Sequence, residues 1–88
     1  MKIKSGFLLR TIAGSHIVVP VGNRSQDFNG MMTLNDTAAF LWKQLEQGAT
    51  EEELVQALLQ NYENAEEETC RRNVAGFLAK LREVNCLE

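Results

Sequence analysis

The hydrophobic pattern of this 88-residue chain changes once, near Asn35. Before that point, β-branched and aromatic residues occur in short runs separated by glycine-containing turns, which is typical of β-strands. After it, apolar residues recur at intervals of three and four, which is typical of amphipathic helices. A chain of this length is expected to form one domain. The sequence therefore predicts a single α+β domain over residues 1–88, with the sheet before the helices.

The first part of the chain predicts a β-hairpin followed by a third, short strand. Residues 7–13 and 16–21 favour two strands, and Gly14-Ser15 between them is a favoured two-residue hairpin turn. Residues 22–30 are polar with glycine at both ends, which predicts a loop. The uncharged run after this loop predicts the third strand, formed by Met31, Met32, Thr33 and Leu34.

The second part predicts three helices. Asn35 or Asp36 caps the first, and Gly48 ends it. Residues 50–53 form a capping box that opens the second helix, and residues 64–67 repeat this pattern for the third. Two closely linked helices resemble a helix-turn-helix, so the predicted fold is winged-helix-like. The apolar residues expected to face the core are Ala38, Leu41, Trp42, Leu45, Leu54, Ala57, Leu58, Tyr62, Val74, Phe77, Leu78 and Leu81.

The sequence offers few groups for catalysis. An enzyme needs a nucleophile with a base, a metal site or paired carboxylates in a cleft. His16 is the single histidine, and its predicted place beside a turn is more often a surface position. The glutamate runs at 51–53 and 66–68 fit solvated first turns of helices, where the helix dipole favours negative charge. We therefore expect no enzymatic activity, no catalytic residue, no metal site and no cofactor.

Charge and hydropathy limit the partners and the location. Acidic residues outnumber basic ones, 12 to 9, which gives a net charge of −3 and disfavours a nucleic-acid partner. No segment approaches the ~20 apolar residues of a membrane span, and the N-terminus lacks the apolar stretch of a signal peptide. Cys70 and Cys86 form no short pair, which favours thiols in a reducing compartment. We expect a cytoplasmic protein without a nucleic-acid or membrane partner.

One segment resembles the signature of a known family. Residues 28–46 read Phe-Asn-Gly-Met-Met-Thr-Leu-Asn-Asp-Thr-Ala-Ala-Phe-Leu-Trp-Lys-Gln-Leu-Glu, which is similar to the PqqD-like proteins, named after coenzyme PQQ synthesis protein D. The opening segment at residues 4–10 and the Glu-rich starts of two helices also fit this family. The resemblance implies a winged helix-turn-helix-type fold that does not act on DNA.

The same resemblance implies a function. PqqD-like domains are recognition elements for ribosomally made peptides that are later modified. They hold the leader segment of the precursor peptide and deliver it to a modifying enzyme, often a radical SAM enzyme. The leader adds a strand to the third β-strand and lies between that strand and the last helix. The family is broader than PQQ biosynthesis, so the resemblance favours a peptide-modification system whose precursor and modification the chain does not identify.

The residues themselves are compatible with such a site. Strand addition needs an unpaired edge, and the predicted third strand lacks the charges that usually protect one. On the last helix, small residues at 75 and 76 leave room for a peptide, and arginines are available for acidic leader residues, although they also fit plain solvated surface. The predicted peptide-binding residues are Met31, Met32, Thr33, Leu34, Arg71, Arg72, Ala75, Leu78 and Arg82.

The residues also allow two other hypotheses. A DNA-binding winged helix requires a basic face on the last helix, formed by Arg71, Arg72, Lys80 and Arg82. A self-associating structural module requires the exposed strand edge to pair with a second copy of the chain, which gives a homodimer.

Overall fold

A computed structural model of the protein describes residues 1–21 and 32–88. The predicted loop at residues 22–30 and the predicted strand residue Met31 lie outside the described residues. A β-hairpin and a short strand precede three helices, which confirms the predicted α+β fold. The elements are β1 (Phe7–Ile12), β2 (Ser15–Pro20), β3 (Met32–Leu34), α1 (Asp36–Gln47), α2 (Glu51–Asn61) and α3 (Glu67–Glu83).

The hairpin turns one residue earlier than predicted. Ile12 pairs with Ser15, which leaves Ala13 and Gly14 as the two loop residues. Their φ angles are 52° and 81°. Positive φ at both central residues gives the turn a twist that matches the flanking strands. The prediction of Gly14-Ser15 was wrong because it took glycine as the first turn residue, whereas here an alanine accepts the left-handed conformation and glycine comes second.

The three strands form one antiparallel sheet in the order β1-β2-β3. The register between β2 and β3 pairs Val18 with Met32, Ile17 with Thr33 and His16 with Leu34. Since β2 lies in the middle, β3 is an edge strand within the part of the chain that the structure describes. The helices pack against the sheet face that carries Phe7, Leu9, Val18, Met32 and Leu34.

Local signals fix the helix ends. The Asn35 side chain accepts a hydrogen bond of 2.8 Å from the backbone N–H of Ala38, and Gly48 caps the other end of α1 with φ 95°. Thr50 and Glu53 form both halves of the predicted capping box at α2. The third helix starts at Glu67, later than predicted. Asn64 does not cap it, because its φ of 60° places it in the turn between α2 and α3.

The core lies between the sheet and the helices, and Trp42 is fully buried at its centre. Phe7 packs on Trp42 edge to face, with ring centroids 6.5 Å apart. Tyr62 departs from the prediction: it ends α2 and is 37% exposed, with its ring against Phe40. Of the residues that the structure describes, none belongs to a helix long and apolar enough to cross a membrane. The core residues are Ile3, Val18, Met32, Leu34, Ala39, Leu41, Trp42, Leu45, Leu54, Val55, Leu58, Cys70, Val74, Leu78, Leu81 and Cys86.

Candidate functional site

A groove of about 410 Å³ runs between β3 and α3. Its walls and floor come from three separate parts of the chain, which the fold brings together. The β3 edge supplies one wall, the start of α1 supplies part of the floor, and one side of α3 supplies the opposite wall. The lining residues are Thr33, Leu34, Asn35, Thr37, Ala38, Leu41, Arg72, Asn73, Gly76, Phe77 and Lys80.

The floor of the groove is apolar and its rim is polar. Leu34 and Leu41 are buried, and Ala38 and Phe77 are partly buried against the same core. Burying apolar surface of a ligand on such a floor is favourable, while the polar rim fixes its orientation. This combination suits a ligand that alternates between apolar and polar groups.

Gly76 opens the groove on the α3 side. A β-carbon built on Gly76 would meet nothing within 4 Å, so the groove is open at this position. Glycine within a helix costs about 1 kcal/mol relative to alanine. Gly76 therefore lowers the stability of the helix at a position where the missing side chain leaves space for a ligand.

The groove is positively charged. Arg72 and Lys80 line it, and its described lining contains no acidic side chain. Neither Arg72 nor Lys80 forms an ion pair with a residue in the ranges 1–21 and 32–88. Among the described residues the two cations therefore carry charge without an internal ion-pair partner, although the whole chain carries a net charge of −3.

Arg71 lies on a different side of α3 and is used within the fold. Its guanidinium donates two hydrogen bonds to the Glu52 carboxylate, of 2.6 and 3.0 Å, and a third of 3.2 Å to Glu67. The hydrogen bond from Arg71 lowers the pKa of Glu52 below its usual range, despite a smaller opposing effect of desolvation. The hydrogen bonds that Arg71 donates to Glu52 and, as a smaller cause, to Glu67 raise the pKa of Arg71. Arg71 therefore links α3 to α2.

The sequence and the fold are both similar to those of known proteins. Residues 15–87 match the family described as PqqD, Coenzyme PQQ synthesis protein D. The chain belongs to the PqqD family. No curated protein matches its sequence. The predicted resemblance is therefore confirmed at the level of the family.

Two solved structures share the fold. The structure of TbiB1 in complex with the TbiA(beta) leader peptide has a TM-score of 0.78 and 24% identity, covering 100% of this chain and 95% of that chain. The structure of a lasso peptide synthetase B1 complexed with the leader peptide has a TM-score of 0.72 and 23% identity, covering 93% and 89%. At this level of identity, the similarity shows that the PqqD-family chain and these proteins have a common fold.

The structure brings together three of the residues predicted for peptide binding. Thr33, Leu34 and Arg72 all line the groove of this PqqD-family domain. Met32 is 5% exposed and contributes to the core beneath β3. Met31 lies outside the described residues.

The other predicted residues lie away from the groove. Leu78 is fully buried in the core, and Ala75 is exposed but does not line the groove. Arg82 donates a hydrogen bond of 3.4 Å to the sulfur of Met1, and Arg71 is bound to Glu52. Arg71, Ala75 and Arg82 therefore lie on the other side of α3, which the core stripe through Leu78 separates from the groove.

Several groove residues were missed by the sequence prediction. On α3 these are Asn73, Gly76, Phe77 and Lys80. Arg72, Gly76 and Lys80 follow each other at intervals of four, which is a helical stripe that the sequence does contain. A stripe of two cations with a glycine between them was the signal that could have identified this wall.

A second depression continues the groove toward the turn between α2 and α3. It has a volume of about 260 Å³ and shares Thr37 and Asn73 with the groove. The surface available to an elongated ligand therefore extends beyond β3. The residues that line this depression are Thr37, Leu58, Tyr62, Asn64, Ala65, Glu66, Thr69, Cys70 and Asn73.

His16 forms side-chain contacts within the fold. Its Nδ1 is 2.8 Å from the Thr11 hydroxyl oxygen and its Nε2 is 2.7 Å from the Asp36 carboxylate. These contacts link the hairpin to the start of α1. Within residues 1–21 and 32–88, no group of three or more His, Cys, Asp or Glu side chains is placed to hold a metal ion.

Proposed function

We propose that this protein is a non-catalytic peptide chaperone that binds the leader segment of a ribosomally synthesised precursor peptide. The leader adds a strand to the edge of β3 and occupies the groove, and the protein then presents the precursor to a modifying enzyme. The observation that carries the proposal is the edge strand β3 beside an apolar groove whose opposite wall is α3.

The geometry suits an extended peptide. An edge strand offers backbone donors and acceptors, and pairing with them supplies affinity without regard to sequence. Side chains of an added strand alternate between the two faces of the sheet. Those on the face of Leu34 point toward the apolar floor, where they are selected by shape and charge.

Family and fold support the same function. PqqD-like proteins act as recognition elements for precursor peptides, and this chain belongs to the PqqD family. The two solved structures described above, which share this fold, are complexes with a leader peptide. The family resemblance extends the proposal to the enzyme that receives the precursor, with a radical SAM enzyme as the first candidate.

The proposed peptide site keeps Thr33, Leu34 and Arg72 from the sequence prediction. It adds the residues on the groove side of α3, namely Asn73, Gly76, Phe77 and Lys80. Met32 and Leu78 support the site from within the core. Peptide contacts by Met31, Arg71, Ala75 and Arg82 stay predictions, and the charge and space that the groove offers do not depend on them.

The structure gives little support to the DNA-binding alternative. That hypothesis needs Arg71, Arg72, Lys80 and Arg82 to form one basic face. Arg71 is held by two glutamates and Arg82 contacts Met1, so the face is divided. The two remaining cations would neutralise few phosphates, and phosphate neutralisation supplies essentially all non-specific affinity for DNA.

Titration with leader peptides tests the proposal. Fluorescently labelled leader peptides of the short precursors encoded beside the gene should bind with micromolar or lower Kd. The backbone amides of β3 should become protected from hydrogen exchange on binding. No binding by any of these peptides below high micromolar concentration would refute the proposal.

A chemical control isolates strand addition. Alternate amides of the best-binding leader are N-methylated in two peptides, one for each set of amides, so that each peptide keeps every side chain. Only the set that donates to β3 should matter, with a loss of about tenfold or more in affinity. Equal affinity of both methylated peptides and the parent would exclude strand addition.

Light scattering and co-purification test the remaining partners. Pairing of the β3 edge with a second copy would give a concentration-dependent dimer that a leader peptide dissociates. A modifying enzyme should co-purify with this protein more strongly when the precursor is present. A dimer that leader peptides leave intact would instead support the self-associating alternative.

A further inference from the structure

We propose that the peptide bound in this groove contains a five-residue segment of the form acidic-x-apolar-x-acidic, in which the two acidic residues pair with Arg72 and Lys80. This inference rests on the proposed function and specifies the class of peptide that the site selects. The inference depends on three residues along the groove side of α3. These are the cation Arg72, then Gly76, which leaves a gap, and then the cation Lys80.

The spacing of the two cations fits an extended chain. Arg72 and Lys80 are eight residues apart in one helix, which corresponds to about 12 Å along the helix axis. Four residues of a β-strand span about 13 Å. Residues i and i+4 of a strand also point to the same face. A peptide that runs along the groove therefore places its first and fifth residues opposite the two cations.

The residue between the two acids meets a different environment. Residue i+2 lies on the same face of the peptide strand and is opposite Gly76, where a built β-carbon meets nothing within 4 Å. Beneath this gap lie the apolar side chains of Leu41 and Phe77. A leucine-sized side chain fills this space and removes its own surface from water, which favours an apolar residue at i+2.

The charges that line the groove favour an acidic peptide. The described lining of the groove contains Arg72 and Lys80 and no carboxylate, and neither cation is paired with a described residue. Arg71, only one residue from Arg72, by contrast already pairs with Glu52 and Glu67. Basic peptides would meet repulsion in the groove, and acidic ones would meet two available partners.

Synthetic peptides with one shared host sequence test the pattern. Three labelled peptides share an alternating Thr/Val host with a central leucine. One carries Glu-x-Leu-x-Glu, the second carries Lys-x-Leu-x-Lys, and the third carries the same glutamates directly beside the leucine, on the opposite strand face. We expect the first peptide to bind about tenfold more tightly than the second and about fivefold more tightly than the third.

A charge-swapped protein provides the reciprocal test. The double variant R72E/K80E should fold normally, because both side chains are exposed and lack described partners. Its preference should reverse in favour of the lysine peptide. A thermal melt confirms the fold, and high salt should reduce both preferences because it screens exposed charges.

The outcomes separate this inference from the proposed function. Binding of the precursor leaders without any preference among the three synthetic peptides would overturn the acidic pattern and leave peptide recognition intact. An unchanged preference in the charge-swapped variant would also overturn it. Failure of every precursor leader and synthetic peptide to bind would overturn both proposals.

Discussion

Similar residues have different roles on the two sides of α3. Arg71 and Arg72 are consecutive, yet Arg71 forms three hydrogen bonds with glutamates, and Arg72 faces the groove without a described partner. On the side of Arg71 the helix is joined to α2. On the side of Arg72 it borders an open groove beside an edge strand.

This contrast shows that the number of arginines on a helix does not indicate a binding surface. Consecutive helical residues point about 100° apart, so neighbouring positions face different surroundings. Arg71 is within reach of Glu52 on α2, which has a capped and acidic first turn. The stripe of Arg72, Gly76 and Lys80 has no acidic neighbour in the described lining and keeps its charge for a partner.

The largest expected effect comes from the residue that separates the two sides. Leu78 is fully buried between them, so Leu78→Ala removes packing and leaves a cavity, at a cost of about 2–5 kcal/mol in the free energy of unfolding. Chemical denaturation measures this loss. At temperatures where the variant is folded, its peptide affinity should change little. A stable Leu78→Ala variant that has lost peptide binding would indicate that Leu78 does belong to the peptide-binding site.

Filling the groove from the helix should have the next largest effect. Gly76→Phe places a ring in open space, and helical side chains lean toward the N-terminus, so the ring would lie over the turn of Arg72 and Asn73. We expect peptide affinity to fall tenfold or more while the melting temperature stays within a few degrees. Fluorescence anisotropy and a thermal melt provide the two measurements.

Ala75→Phe is the matched control, because Ala75 is exposed on the neighbouring position and does not line the groove. It adds the same ring to the same helix and should leave peptide affinity unchanged. If Ala75→Phe removes binding and Gly76→Phe does not, the sequence-based choice of the helix side is correct and the groove assignment fails.

The sequence predicted much of the fold because local signals determine it. The Thr50–Glu53 capping box, the Asn35 cap and the Gly48 end were all readable from single residues. The hairpin register was not. Moving the turn from Gly14-Ser15 to Ala13-Gly14 shifts each strand partner by two residues. Such a shift keeps every side chain on its face, so the hydrophobic pattern could not detect it.

The site was harder to predict for a similar reason. Helical periodicity identified the core stripe of α3, but either side of that stripe could face β3. The choice depends on how α3 packs against the sheet and α2, which involves contacts between distant parts of the chain. The floor residues Ala38 and Leu41 come from α1, and their role appears only when β3, α1 and α3 are assembled.

A smaller effect is expected when the gap at Gly76 is reduced by one methyl group. Gly76→Ala should stabilise the fold by about 1 kcal/mol, because alanine is the better helix former and the added β-carbon meets nothing within 4 Å. Peptides with leucine opposite this position should bind a few-fold more weakly, whereas those with alanine there should be unaffected. A stability gain without any dependence on the size of the peptide residue would show that the peptide does not approach Gly76.

The smallest expected effect is a difference between Arg71 and Arg72 in how their variants' stability depends on pH. The pKa of Glu52 is lowered in the folded protein by its hydrogen bond with Arg71. A lowered folded-state pKa adds stability above the unfolded-state pKa of about 4.3, and this contribution is lost as the pH falls through the folded-state value. Because the pair is exposed, the contribution is small. Arg71→Gln should therefore flatten the acid limb of stability against pH below about pH 5 and leave peptide affinity near pH 7 unchanged.

Arg72→Gln should do the reverse, because Arg72 makes no ion pair with a described residue and lines the groove. We expect its stability to follow the wild-type pH profile, while its affinity for an acidic peptide falls a few-fold. Denaturant melts across pH 3–7 and peptide titration at pH 7 compare the two variants directly. Identical behaviour of Arg71→Gln and Arg72→Gln in both assays would remove the distinction between the two sides of α3. A loss of acidic-peptide affinity confined to Arg71→Gln would place the peptide on the side that faces α2.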